Sequence, residues 1–201
     1  MKKFNFIPTR AAGLERLKIF LPSAGKDYAA SRNYDLGHNN HTNVSMLSPY
    51  IRHRSLTEIE VLKSVLCYHS RKSSEKFIQE VFWRTYWKGW LEMRPTVWAD
   101  YHSKLNRLAD DLKTQSGFRK SWENACQGKT GIDCFDSWAK ELFDTGYLHN
   151  HARMWFASIW IHTLELPWEL GADFFLRNLL DGDPASNTLG WRWVGGAQTV
   201  G

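Results

Sequence analysis

The sequence predicts an all-α fold, on three observations. No segment keeps the strict apolar–polar alternation of a half-buried strand, whereas several runs repeat apolar residues at the spacing of a 3.6-residue helix. Those runs are punctuated by helix-breaking residues at Pro95, Gly128, Gly146, Pro167 and Gly182. A chain of 201 residues is long enough for one sizeable core, so a single domain over residues 1–201 is expected.

In chain order, AAGLERLKIFLPS is a short amphipathic piece, and YAASRNYDLGHNN, rich in Asn and Gly, reads as loop. In SLTEIEVL, Ser55 stands three residues before Glu58, the spacing of a capping box, so a helix is expected from about Leu56 to His69. SSEKFIQEVFWRTYWKGWLEMRP is the clearest helix, with Phe77, Val81, Arg84 and Lys88 on one side and Glu80, Trp83 and Trp87 on another; it stops at Pro95. Thr96 to Arg119 is more polar and is expected on the surface, followed by a short helix in SWENACQG ended by Gly128. DCFDSWAKELFDTG, GYLHNHARMWFASIWIHTLEL and WELGADFFLRNLLDGD supply three more helices.

Composition narrows the class of function. Hydrophobic residues make up 43% and charged residues 23%, without a low-complexity tract, so a folded chain is expected, with disorder only at its ends. The formal charge of +5 is compatible with a polyanionic partner and does not require one. Cys67, Cys126 and Cys134 are widely spaced, odd in number and form no CxxC, so neither a disulfide framework nor a zinc site is indicated, and no metal is expected. The first ten residues are basic but lack an apolar stretch, and no run has the length to span a bilayer, so a soluble, unexported, cytoplasmic chain is expected. Eleven Trp is several times ordinary usage; a Trp-rich helical core is the plain account for most of them.

Chemistry concentrates in Asp181 to Trp193, DGDPASNTLGWRW, where two carboxylates, an amide and two indoles fall together. The preceding run adds Asn150 and Arg153, three apart on one helical side, and the whole set reads as the lining of one pocket. A buried Arg153 needs an anionic partner, and Asp181 is the candidate. Glu80 and Trp83, also three apart, pair a carboxylate with a flat apolar wall. In NVSMLSPY, Ser45 and Ser48 stand in a turn entering a helix, where hydroxyls and free backbone N–H groups can hold phosphate or simply cap the helix. Tyr28 and Arg32 lie one helical turn apart.

TGYLHNHARM followed by LLDGDPASNTLGWRW is similar to the flavin-binding core of the DNA photolyase and cryptochrome family, and the likeness runs from about Tyr28 to Gly196. The resemblance implies a helical bundle like the family's FAD-binding domain, with noncovalent FAD as cofactor. It puts Ser45, Met46, Leu47 and Ser48 in the phosphate-binding segment, with Val44 where a hydroxyl is usual. Tyr28, Arg32 and Arg84 fall on the cofactor side. Arg153 and Asp181 pair beside the flavin ring, Asp181 and Asp183 bracket its polar edge, and Asn187 faces the nitrogen that gains or loses a proton. On the substrate side the resemblance places Glu80 against pyrimidines with Trp83 beneath them, together with Asn150, Met154 and Trp193; His151 stands where Arg is usual. Trp191 and Trp168 match the first two indoles of an electron-passing chain, whose third position holds Ala125, with Trp122 one turn away.

The activity so implied is light-driven electron-transfer repair of pyrimidine dimers in DNA by a monomeric carbon–carbon lyase, a deoxyribodipyrimidine photolyase. Two other readings stay open: a cryptochrome-like blue-light sensor, and a flavin-binding remnant without repair activity. The family's N-terminal α/β antenna domain has no counterpart here, since nothing alternates strand with helix, and the chain stops at Gly201 where the family continues. A minimal form or a chain truncated at its C-terminus is therefore expected.

Overall fold

The computed structural model describes residues 6–38 and 40–197. Eleven α-helices, a 3-10 turn and a π turn make up its regular structure, and no strand occurs among the described residues. The described residues up to Tyr86 form one compact unit, and those from Trp87 onward form another.

In the first unit, α1 (Arg10–Phe20) starts where the Thr9 hydroxyl accepts the Ala12 N–H at 3.2 Å. A short α2 (Lys26–Ser31) runs into the start of the stretch expected to be loop, which begins at Tyr28. Its reason is tertiary: the Tyr28 ring is buried edge-on against Phe20 (5.8 Å) and Phe77 (5.2 Å), and that burial fixes a helical turn that local composition disfavours. After α3 (Ser48–Arg52) comes α4 (Glu58–Tyr68), whose capping box is Thr57 with Glu60 rather than Ser55 with Glu58. Ser55 is not available as a cap because its N–H, like that of Leu56, donates to Tyr50 O in the turn leaving α3. The helix α5 (Glu75–Glu92) buries Phe77 and Val81, as its apolar spacing requires.

The second unit takes in the end of α5 from Trp87 and continues with α6 (Pro95–Thr114), in which Pro95 opens a helix at its first position. This helix was expected on the surface, yet Tyr101 within it is only 2% exposed, because its ring packs into the aromatic core. The helices α7 (Ser116–Cys126) and α8 (Asp133–Thr145) follow. Gly146, one of the expected helix breaks, ends α8 in the left-handed region (φ 71°), its N–H donating to Leu142 O. A Cβ there would stand 2.7 Å from Leu180 Cγ, so both the conformation and the space call for glycine. The helix α9 (Asn150–Ser158) then widens into a π turn at Ile159–Thr163, and α10 (Trp168–Asn178) and α11 (Pro184–Val194) complete the unit.

The core of this unit is aromatic. Phe156 stacks on Phe135 (4.1 Å) and lies near Trp160, Phe174 and Phe175. Trp191 meets Phe175 and Trp160 edge-on, at 5.0 and 5.9 Å. Of the tryptophans only Trp160 and Trp191 are fully buried; Trp98, Trp122, Trp138 and Trp168 pack at the margin, and Trp83, Trp155 and Trp193 are exposed. Six of the eleven indoles, Trp98, Trp122, Trp138, Trp160, Trp168 and Trp191, thus lie in or against this core, as expected for most of them.

Cysteine reactivity gives a simple check on this packing. Cys67 and Cys134 are exposed, whereas burial pushes the Cys126 thiol up to about 12, with the Asp173 carboxylate adding to it. A disulfide-exchange reagent should therefore modify two thiols quickly in the native chain and the third only on unfolding. Burial, with Glu80 second, also lifts the Tyr28 phenol to about 12. An unfolded chain releases these protons near about 8.5 and 10, so the stability they carry is complete below those values and is lost as pH rises toward 12.

Candidate functional site

The candidate residues divide between the two units. In the first, Tyr28, Arg32 and Glu80 come together: Arg32, which follows α2, forms an ion pair with Glu80 on α5, and Tyr28 lies within reach of both charges. The pair is part-buried, with side-chain exposures of 25% and 34%. Along α5, Trp83 is exposed and its ring meets Tyr86 at a right angle, 5.2 Å between centroids. Tyr86 was not picked out from the sequence, although its spacing of three from Trp83 is the usual signal for neighbours on one helix face. Arg84 is half-buried on the same helix.

The segment Ser45 to Ser48 is a tight turn. Ser45 Oγ accepts the Leu47 N–H at 3.3 Å, and Met46 sits in the left-handed region at φ 51°, a conformation that costs a non-glycine residue of the order of 1 kcal/mol or more. Arg16 Nη1 donates to Met46 Sδ at 3.4 Å. Leu47 is fully buried, while Ser45 and Ser48 stay half-buried with Ser48 opening α3.

In the second unit, the loop between α10 and α11 carries two carboxylates with different work. Asp181, 6% exposed, accepts from Arg153 Nη2 at 3.0 Å. Arg153 also donates from Nε to Leu148 O at 2.9 Å and lies 5.4 Å from the centre of the Tyr147 ring. Burial works against the guanidinium charge, and Asp181 together with Tyr147 more than offsets it, so Arg153 holds its proton more tightly than a free arginine. Asp183 is the N-cap of α11: its Oδ1 accepts from the N–H groups of Ala185 and Ser186, both at 3.1 Å, and its Oδ2 lies 3.5 Å from Lys88 Nζ.

Asn187, four residues into α11, donates from Nδ2 to Ala172 O on α10 at 2.8 Å. A backbone carbonyl only accepts, so the amide end facing it is the NH2 group, and Asn187 keeps its carbonyl oxygen and its second N–H for a ligand. Two buried hydroxyls beside it, of Ser186 and Thr188, have no hydrogen-bond partner among the described residues. Ahead of Asn150, which is exposed at the first position of α9, the buried His149 accepts the His151 N–H at Nδ1 (3.2 Å). Met154 is half-buried and Trp193 is 54% exposed.

Trp191 depends on a glycine. A Cβ at Gly171 would stand 2.3 Å from two atoms of its ring, so α10 approaches the indole more closely than any side chain allows. Trp168 opens α10 and stacks on Tyr101 at 5.6 Å. Ala125, at the position where the resemblance expects a third indole, is fully buried, and the half-buried Trp122 nearby has an indole N–H without a partner among the described residues. Lys88, Tyr101, Gly171 and the Ala172 carbonyl act through contacts distant in sequence, which local spacing does not signal. Among the described residues no group of three or more His, Cys, Asp and Glu is placed to hold a metal, and no helix is long and apolar enough to cross a membrane.

Comparison with known proteins places this geometry. Residues 77–200 match the family described as the FAD binding domain of DNA photolyase. A deoxyribodipyrimidine photo-lyase of Streptomyces griseus is 32% identical over 174 residues, which is 83% of this chain and 36% of that protein. A bacterial class III photolyase from Agrobacterium tumefaciens superposes with a TM-score of 0.76 at 26% identity, over 94% of this chain and 38% of that one. The Synechocystis sp. PCC6803 cryptochrome gives a TM-score of 0.76 at 27% identity, over 100% of this chain and 41% of its own. The chain thus spans about two-fifths of the length of these proteins. With the match covering more than half of its residues, the chain belongs to the family of the FAD binding domain of DNA photolyase.

Proposed function

We propose that residues 1–201 act as one flavin-binding photolyase domain, a cytoplasmic monomer that holds FAD noncovalently and splits pyrimidine dimers in DNA under blue light. The observation that carries this reading is the Asn187 amide, fixed by Ala172 so that a carbonyl oxygen is presented. It stands on the helix that bears Trp191, in the same unit as the buried Arg153–Asp181 pair. The unpartnered hydroxyls of Ser186 and Thr188 fit the same conclusion, since α11 keeps hydrogen-bonding capacity that the described chain does not use.

When bound, FAD supplies light-driven one-electron chemistry, and the protein's task is to orient and tune it. Arg153, fixed by Asp181 and Leu148 O, provides an immobile positive charge for an electron-rich ring edge. The Asn187 carbonyl oxygen, held in place by the bond to Ala172 O, would accept from a ring nitrogen that carries a proton. Glu80, held by Arg32, and the Trp83–Tyr86 pair supply an acceptor and an exposed aromatic wall suited to a flipped pyrimidine pair.

The test uses the flavin-loaded chain and an oligonucleotide with or without a thymine dimer. Trp83→Ala should weaken binding to the damaged strand by about 1–3 kcal/mol, the worth of one base–aromatic stack. Undamaged DNA, held mainly through phosphates, should respond to salt and little to this change. Glu80→Gln should lower the yield of light-driven repair with bound flavin unchanged. The match of this chain to about two-fifths of a cryptochrome supports a second reading, a light sensor, and a parent protein with no preference for the damaged strand would put that reading in its place.

A further inference from the structure

Trp168 has a second surface besides the one it stacks on Tyr101. The two rings line a groove of about 180 Å³ together with Asp100, Lys104, Arg107 and Arg192. Three cations face one carboxylate there. Lys104 shares its charge with the buried Glu169 at 3.5 Å, which leaves Arg107 and Arg192 to set the sign. The N-terminus of α10, where Trp168 stands, adds a partial positive charge to the floor.

We propose that this groove docks a small anionic one-electron reductant, of the ene-diol class to which ascorbate belongs, and that the reductant refills Trp168 after its oxidation. This rests on the flavin reading, in which the photoexcited oxidised flavin is the oxidant and draws its electron through Trp191 from Trp168. The docked anion then gives one electron to the Trp168 radical cation, restoring the neutral indole, and its own hydroxyl proton passes to water. Tyr101 is a poor substitute donor despite its stacking. Its hydroxyl is buried with no partner among the described residues, and burial holds the phenol well above its usual range, so no group is placed to take the proton that tyrosine oxidation releases. An anion held in the groove, where positive potential concentrates it, is placed to supply that electron.

The experiment follows blue-light bleaching of the flavin-loaded chain at neutral pH against ascorbate concentration, with dithiothreitol as an uncharged reductant. The parent should saturate with ascorbate. In Arg107→Glu/Arg192→Glu the concentration for half-saturation should rise by about tenfold or more, with the dithiothreitol rate unchanged. Arg107→Gln/Arg192→Gln should fall between, and guards against a folding defect in the charge-reversed protein. In the dark, saturation-transfer NMR should detect ascorbate contact with the parent that the reversed variant loses. A linear ascorbate dependence that is equal in all three proteins, with no contact in the dark, would overturn the groove while leaving the flavin reading intact. Absence of bleaching with either reductant would sink the flavin reading itself and the redox role of the groove with it.

Discussion

Asp181→Ala should lower the thermal midpoint by roughly 6–12 °C and release most of the bound flavin. The reasoning starts from Arg153, whose side chain keeps 23% of its exposure and has Asp181 as its charged partner at 3.0 Å. Deleting that carboxylate leaves a largely desolvated guanidinium with a backbone carbonyl and an aromatic ring for company. Breaking a buried pair from one side costs about 3–5 kcal/mol, and the residual exposure of Arg153 puts this case near about 3 kcal/mol. Asp181→Asn should do less damage, since an amide oxygen can still accept from Arg153. Thermal melts followed by circular dichroism, together with the flavin absorption band after gel filtration, measure both effects. An unchanged melting temperature and flavin content would show that the pair supports neither the fold nor the site.

The second large effect is expected from Trp191→Phe. The indole is 3% exposed and packed edge-on against Phe175, Trp160 and Phe156, so phenylalanine keeps much of the packing. The stability loss should stay below the about 3–5 kcal/mol of a full truncation to alanine. Electron supply should suffer far more, because a phenyl ring is much harder to oxidise than an indole. Under blue light with dithiothreitol, bleaching of the flavin should slow drastically relative to the parent. Trp160→Phe is the informative companion: Trp160 lies 5.9 Å from Trp191, is fully buried and donates from Nε1 to Pro167 O. If Trp160→Phe abolishes bleaching and Trp191→Phe does not, the donor is Trp160.

Much of the fold was legible because the helices are separated by residues that cannot continue them. Pro95 opens α6, and Gly128 and Gly146 both take up positive φ at helix ends. Boundaries were harder where two local signals compete. Ser55 with Glu58 and Thr57 with Glu60 have the same capping spacing, and the choice is made by Tyr50 O, which claims the N–H groups of both Ser55 and Leu56. The helix α2 was missed because its cause is the burial of one ring against Phe20 and Phe77. In the site, the Arg153–Asp181 pair could be anticipated from the rule that a buried charge seeks its opposite. The orientation of Asn187 could not, since it is set by a carbonyl on another helix, and neither could the place of Tyr101 against Trp168.

The close approach of α10 to Trp191 has a bearing on how this sequence can vary over time. Position 171 must remain glycine for as long as position 191 carries an indole, because any larger residue would occupy the space of the ring. A lineage in which Trp191 gave way to something smaller would free Gly171 to drift to alanine and gain helix propensity of about 1 kcal/mol. The two positions are thus inherited as one character: in a set of related chains, glycine at 171 should accompany tryptophan at 191.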